Sequence, residues 1–337
     1  MKVSLVFLVA ACGSPTAPND QVPDAPSAPG PDATLADFCN ATDPRTVPIT
    51  IDPTPEASER PYLDVLSTAQ TSIDLSVYEM GYGGILDQLE AKARAGVKVR
   101  VILDKSAIST NQKYFDALAA AGASVEWSDP QFSYFHAKYF IVDGVATVIS
   151  TGNFSKTYSI DLERNYVATD RDPADVADLA RLFEADFSRA VPQVTCTRMV
   201  ISPVNARERI LAVIAGAQHT LEIESMQFAD SGVRAAVQAR AAAGVTVRAL
   251  LAEPSWITAN ADAATFLKAL GVPVKSIPHL HTKMLVADGS VAYVGSENFS
   301  YTSLGKNREV GVILVEQGSI DPLLATFSKD WAVGTDL

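Results

Sequence analysis

Basic residues are in short supply. The 337-residue chain carries 27 Lys and Arg against 39 Asp and Glu, for a formal net charge of −12 and a pI near 4.8. That balance argues against a broad basic face for long nucleic acids, though not against a local basic cleft. Long apolar runs are also missing. The run from Val3 to Ala11 is too short to cross a bilayer as a helix, and no later stretch is long and apolar enough. Cysteine occurs three times and histidine four times. Three cysteines leave room for one bridge at most. No third ligand of suitable type stands near His279 and His281, which argues against zinc, and no metal or other cofactor is expected. What the chain does have is a 47% apolar composition, suited to a globular α/β protein with a substantial core.

The N-terminus has a different texture. Lys2 opens the short apolar run, and residues 1–11 read as a signal peptide. Val9-Ala10-Ala11-Cys12 looks like a bacterial lipobox, in which Cys12 would be lipidated and become the mature N-terminus. The other reading is a plain secretory signal cut near Gly13. Residues 12–45 form a Pro/Ala-rich tether with Pro15, Pro18, Pro23, Pro26, Pro29 and Pro31, biased toward extended backbone. An extracytoplasmic domain follows, lipid-anchored to a bacterial membrane or secreted. Cys39 and Cys196 then remain, either to pair in an oxidising compartment or to stand as separate thiols.

The rest of the chain repeats itself. Ile73-Asp-Leu-Ser-Val-Tyr-Glu79 aligns with Leu221-Glu-Ile-Glu-Ser-Met-Gln227, and both alternate as half-buried strands do. Helical stretches follow, stopped by Gly96 and Gly244. Then come Val97–Leu103 and Val245–Leu251, apolar enough for interior strands. Strands alternating with helices predict a layered α/β fold with a largely parallel core. The same order twice predicts two such domains, residues 46–195 and 196–337, related by a pseudo-twofold axis.

Two of the four histidines stand in the repeated context. His136-Ala-Lys138 is followed by Asp143 and His281-Thr-Lys283 by Asp288. Seventeen residues after each histidine comes Asn153-Phe-Ser155 or Asn298-Phe-Ser300. A His and a Lys two apart on a strand point to one face. One imidazole can attack phosphorus while the other protonates a leaving oxygen, and two Lys and two Asn can hold the phosphate. Each Asp-Gly lies between two apolar runs and predicts a hairpin turn, so Asp143 and Asp288 read as structural.

Here the chain resembles the phospholipase D superfamily, marked by HxK(x4)D(x6)GSxN in two copies. The second copy matches fully through Gly295-Ser296-Glu297-Asn298. The first has Ser150-Thr151-Gly152-Asn153, with Ser at the Gly position and Thr151 supplying the loop hydroxyl that Ser296 supplies in the second. The resemblance covers roughly residues 46–335. It implies paired α/β/α sandwich domains, with the active site at their interface. It also implies a phosphohistidine intermediate, with His136 favoured as the nucleophile. An acidic residue supporting each imidazole is implied too, for which Glu163 and Glu309 stand 27 and 28 residues after the histidines. The unequal spacing means either a one-residue deletion in the first loop or a role confined to the second half. Tyr134, Phe135, Trp256 and Tyr301 are candidates to line the pocket or to cover the domain junction.

The expected activity is hydrolysis of phospholipid at a membrane surface to phosphatidic acid and a head-group alcohol. Nucleic acid is the alternative substrate, cleaved by a secreted nuclease of the same superfamily. A non-catalytic phosphate- or lipid-binding protein is the reading from another class, and a lipid-joining synthase a further one.

Overall fold

The computed structural model describes residues 41–194 and 196–337. Cys12, Cys39, the expected signal peptide and nearly all of the expected tether lie outside them. Cys196 is disulfide-bonded.

The first half runs β1 (Thr50–Thr54), α1 (Arg60–Ser67), β2 (Ser72–Val77), α2 (Gly84–Arg94), β3 (Lys98–Leu103), α3 (Ile108–Ala120), β4 (Ser124–Trp127), β5 (Lys138–Val142), β6 (Ala146–Ser150), β7 (Asn165–Asp170) and α4 (Pro173–Ser188). A π-helical turn, Lys156–Ile160, interrupts it before β7. The second half repeats the plan with β8 (Met199–Ser202), α5 (Ala206–Gly216), β9 (Thr220–Ser225), α6 (Ser231–Ala242), β10 (Thr246–Ala252), α7 (Ala259–Ala269), β11 (Val274–Ile277), β12 (Lys283–Ala287), β13 (Val291–Gly295), α8 (Tyr301–Gly305), β14 (Glu309–Leu314), α9 (Gln317–Val333) and the two-residue β15 (Thr335–Asp336).

Local chemistry sets many of these limits. The Asp172 carboxylate accepts from the Ala174 amide and Pro173 opens α4, since proline's missing N–H costs nothing in the first turn. Asp230 caps α6 the same way through the Val233 amide, and Ser300 caps α8 through Ser303.

The strands form two sheets, ordered β1-β7-β6-β5-β2-β3-β4 and β15-β11-β10-β9-β12-β13-β14-β8. The expectation of a largely parallel core is corrected. Only β2-β3-β4 and β9-β10-β11 run parallel, and the remaining ladders are antiparallel. The Asp-Gly hairpins set two of these, β5-β6 and β12-β13. Asp143 and Gly144 take φ of 52° and 65°, and Asp288 and Gly289 take 51° and 63°. Two successive positive φ values make the tight turn that suits twisted antiparallel strands.

Helices α1–α3 cover the outer face of the first sheet and α5–α7 that of the second. Between the sheets, α4 and α9 pack into one apolar core drawn from both halves, including Tyr139, Tyr166, Leu182 and Phe183 with Met284, Val310, Leu323 and Phe327. The halves also exchange backbone hydrogen bonds reciprocally. The Arg308 amide donates to the Tyr134 carbonyl (3.0 Å) while the His136 amide donates to the Arg308 carbonyl (2.8 Å). Arg164 and His279–His281 repeat this exchange at 3.0 Å each way. Arg308 then pairs with Asp186 on α4, and Arg164 with Asp330 on α9. These paired crossings carry each histidine segment to the junction.

Candidate active site

Lys138 and Lys283 open β5 and β12, and each histidine lies two residues earlier in the extended lead-in. All four side chains are buried. The Lys138 ammonium donates to the His136 carbonyl and lies over the Tyr78 ring at 5.4 Å. The Lys283 ammonium donates to the His281 carbonyl (2.6 Å) and reaches the Thr151 carbonyl of the other half at 3.4 Å. Both ammoniums act on both imidazoles, and His136 acts on His281. The two copies therefore share one site.

The imidazoles are supported across the junction and unequally. His136 Nδ1 lies 2.7 Å from Glu309 Oε2, a residue of the other half. The second Glu309 oxygen accepts from Ser303 Oγ (2.7 Å) and Asn307 Nδ2 (2.9 Å). Burial alone would raise this carboxyl, but the charge of His136, its hydrogen bond and Lys138 hold it down at about 2. Burial lowers the His136 pKa, with Glu309 pulling it back up against Lys138 and Lys283. His281 Nδ1 instead meets an amide, Asn165 Oδ1, at 3.0 Å and the Lys283 ammonium at 3.3 Å, while Glu163 Oε2 is 3.7 Å away. Burial, Lys283, Lys138 and His136 all drive the His281 pKa well below its usual value.

Strand register explains the difference. Arg164 and Arg308 occupy matching positions, each paired with the residue that precedes a histidine. Asn165 therefore matches Glu309, and Glu163 matches Asn307, so amide and carboxylate are exchanged between the halves. Matching Glu163 with Glu309 by spacing is corrected accordingly. The first loop has one residue more than the second, not one fewer, and the wide π-helical turn at Lys156–Ile160 stands where the second half has α8. Comparing Arg with Arg, rather than Glu with Glu, would have exposed Asn165 in the sequence.

Thr151 and Ser296 serve their loops alike. Thr151 Oγ1 accepts from the Tyr166 amide (3.0 Å) and donates to Asn165 Oδ1 (2.9 Å). Ser296 Oγ accepts from the Val310 amide at 3.1 Å. Ser150, at the position of Gly295, shares a 2.9 Å hydrogen bond with the Tyr62 hydroxyl and accepts from the Gly152 amide at 3.0 Å. Asn153 Nδ2 lies 3.5 Å from Glu79 Oε2. The Oδ1 atoms of Asn153 and Asn298 are buried without a hydrogen-bond partner among the described residues.

Asp143 and Asp288 sit away from the imidazoles, at their hairpins. Asp143 accepts from the amides of Gln70, Thr71 and Ser72, each at 2.8 Å, and Asp288 accepts from Gln218, His219 and Thr220. Each aspartate thus ties its turn to the start of the neighbouring strand.

A pocket opens beside His136, lined by Tyr78, Tyr134, Gln227, Asn298, Ser300, Thr302, Ser303 and Asn307. Its lining carries amides, hydroxyls and two aromatic faces but no carboxylate. Tyr134 is among these residues, whereas Phe135 is buried in the shared core. Trp256 packs at that core's edge, its ring 6.2 Å from those of His279 and His281. Tyr301 is exposed, with Lys306 and Arg207 over its ring.

Comparison with known proteins agrees with this geometry. Probable cardiolipin synthase YwiE of Bacillus subtilis (strain 168) is 25% identical over 289 residues, covering 73% of this chain and 58% of the relative. Mitochondrial cardiolipin hydrolase of Xenopus tropicalis is 26% identical over 152 residues, covering 41% of this chain and 72% of that one. The crystal structure of phosphatidylserine synthase from Haemophilus influenzae Rd KW20 shares the fold, with a TM-score of 0.70 at 11% identity, covering 88% of this chain and 90% of that one. The chain spans about three fifths of the length of the cardiolipin synthases it matches first (58% and 62%). Residues 62–189 and 210–331 each match the family described as cardiolipin synthase, PLD-like domain. The chain thus belongs to that family of phospholipase D-like proteins, with two copies of the domain facing one another.

Proposed function

We propose that this protein is a phosphodiesterase of phospholipase D type acting on phospholipid. It transfers the phosphatidyl group through a phosphohistidine to a hydroxyl acceptor. Water as acceptor gives phosphatidic acid, and a lipid alcohol gives a joined lipid of the kind the similar cardiolipin synthases are named for. The observation that carries the reading is the gathering of two His-Lys-Asn sets, buried and from opposite halves, into one site. Lys138, Lys283, Asn153 and Asn298 supply charge and hydrogen bonds for the non-bridging oxygens, in surroundings where such contacts act strongly. The imidazoles supply covalent and acid–base chemistry.

Among the described residues, no helix is long and apolar enough to cross a membrane. On this reading the protein meets the membrane surface through a lipid on Cys12, outside the cytoplasm. A secreted form would lack that attachment.

The test is turnover by the full chain in mixed micelles, with EDTA present. Phosphatidylglycerol, phosphatidylethanolamine, phosphatidylcholine, cardiolipin and single-stranded DNA are offered separately. Head-group release is expected, falling by about 10³-fold or more in His136→Asn and His281→Asn. Phosphatidic acid and a joined lipid among the products distinguish hydrolysis from transfer. Cleavage of DNA alone would replace the lipid reading with the nuclease one, and no turnover at all with a binding protein.

A further inference from the structure

We infer that the end of the molecule carrying the site is a docking face for an anionic phospholipid bilayer, seated by Tyr82, Tyr158, Leu162 and Tyr301. This rests on the phospholipid reading of the site, which names the partner.

Topology places these side chains together. Val77 pairs with Lys138, Leu103 with Trp127 and Ser150 with Val167, so the segments after β2, β3, β4 and β6 leave the first sheet at its histidine end. Ser225 with Lys283, and Gly295 with Gly311, mark the same end of the second sheet. The sheets face each other across the core that holds α4 and α9, and both histidine leads reach the junction. The two sets of segments therefore share one end of the molecule.

Composition singles that end out. The exposed tyrosines are Tyr82, Tyr134, Tyr158 and Tyr301, and all of them stand in these segments, as does the exposed Leu162. The two hairpin turns at the opposite end expose one large apolar side chain, Val145. The patch is continuous with the mouth of the pocket. Tyr134 lines that pocket, and Tyr301 lies between the lining residues Ser300 and Thr302. The Lys156 amide, three residues after Asn153, donates to the Tyr82 carbonyl at 3.2 Å. Tyrosine joins an apolar ring to a polar tip, which suits the boundary between head groups and acyl chains.

Charge selects the partner. Lys113 lies over the Tyr82 ring at 4.8 Å and Lys306 over the Tyr301 ring at 5.2 Å, and Lys105 is exposed at the same end. The exposed carboxylates of these segments, Glu56 and Asp161, are paired with Arg164 and Lys156. A chain of net charge −12 has no general attraction to an anionic surface, so cations gathered at one end orient it. The chain itself enters from the other end: Thr50 pairs with Thr169, whereas Thr54 pairs with Asn165 beside His281. An attachment at the N-terminus would hold the protein near a membrane without turning the site toward it. The docking face supplies that orientation.

The test uses the full chain carrying Cys12→Ser, so that no lipid is attached, and sucrose-loaded vesicles of phosphatidylcholine with or without phosphatidylglycerol. Sedimentation with the mixed vesicles is expected to exceed that with phosphatidylcholine alone. Partitioning should fall about 10-fold or more when Tyr82→Ser, Tyr158→Ser and Tyr301→Ser are combined, and Val145→Ser should leave it unchanged. Turnover of vesicle lipid should fall with binding in the triple variant. Turnover of a short-chain phosphatidylglycerol dissolved as monomers should hold, which also shows that the variant is folded. In a separate readout, Tyr301→Trp fluorescence should be quenched by brominated phosphatidylcholine in the mixed vesicles, and Val145→Trp fluorescence should not. Wild-type protein that turns over monomeric lipid yet stays in the supernatant would overturn the docking face alone, as would a triple variant that binds like wild type or the reverse quenching pattern. A wild-type dimer that the triple variant fails to form, without vesicle binding, would assign the patch to a second copy instead. Vesicle binding without turnover of any lipid would remove the phosphodiesterase reading and keep the face.

Discussion

Asp143 shows how a residue named in a motif's spelling can act away from its chemistry. Its carboxylate collects three backbone amides and the Thr71 hydroxyl. Desolvation would raise its pKa, but those hydrogen bonds bring it to about 2, from an ordinary 3.8. A depressed carboxyl stabilises the fold above its unfolded pKa and loses that contribution as pH falls through the folded one. Asp143→Asn should therefore lower stability by about 1–2 kcal/mol at pH 7. Urea midpoints for variant and wild type should converge between pH 4 and pH 2. At Glu309 the consequence is catalytic. Glu309→Gln removes the charge that favours a proton on His136 against burial and the two lysines. The descending limb of kcat/KM should move to lower pH by about one to two units, with kcat down about 10- to 100-fold. An unmoved limb would mean that the carboxylate only orients the ring.

At the scale of elements, the first phosphate loop and the π-helical turn behind it form one unit. Gly152 stands where the second copy has Glu297, and a Cβ there would lie 2.5 Å from Asn165 Nδ2 and 2.7 Å from Ser159 Oγ. Gly152→Ala should push Asn165 off His281, costing about 1–3 kcal/mol in stability and a larger share of activity. Thermal melts and initial rates would separate the two effects. The second copy uses the equivalent space differently, burying Glu297 against the Tyr293 hydroxyl at 2.6 Å. Ser-Thr-Gly-Asn and Gly-Ser-Glu-Asn nonetheless place their hydroxyls alike, each accepting from the backbone amide of the strand beside it. The hairpins, the strand bodies and the helix stops were legible because each depends on neighbours in sequence. The inserted residue in the first loop was misplaced, since spacing alone shows that two loops differ but not where the register is held.

The whole molecule closes through contacts between halves. Glu224 of the second half is fully buried and accepts from the Tyr166 hydroxyl of the first at 3.2 Å. Burial, with Asp330 nearby, pushes its carboxyl up to about 8. A raised carboxyl stabilises the fold while protonated, so its contribution is present below the unfolded value near 4.5 and is lost as pH rises toward 8. Glu224→Gln keeps the hydrogen bond and removes the titration. Its stability should gain on wild type steadily between pH 5 and pH 8, with no further gain above. Denaturant unfolding at four pH values would check this, and parallel curves would place the pH dependence elsewhere.

Much of this protein is set by local order in the chain. Apolar alternation, Gly stops, Asp-Gly turns and the doubled His-Lys-Asn spacing depend on residues a few positions apart, and they prescribe two similar α/β halves, each with half a site. Which partner each histidine receives is a different kind of information. His136 and Glu309 are 173 residues apart, and His281 and Asn165 are 116 apart. Their meeting requires both halves to fold and to cross at Arg164 and Arg308. A carboxylate at one imidazole and an amide at the other distinguish two otherwise repeated groups. Only the packed junction decides that, because it places the strand leads of one half against the histidines of the other.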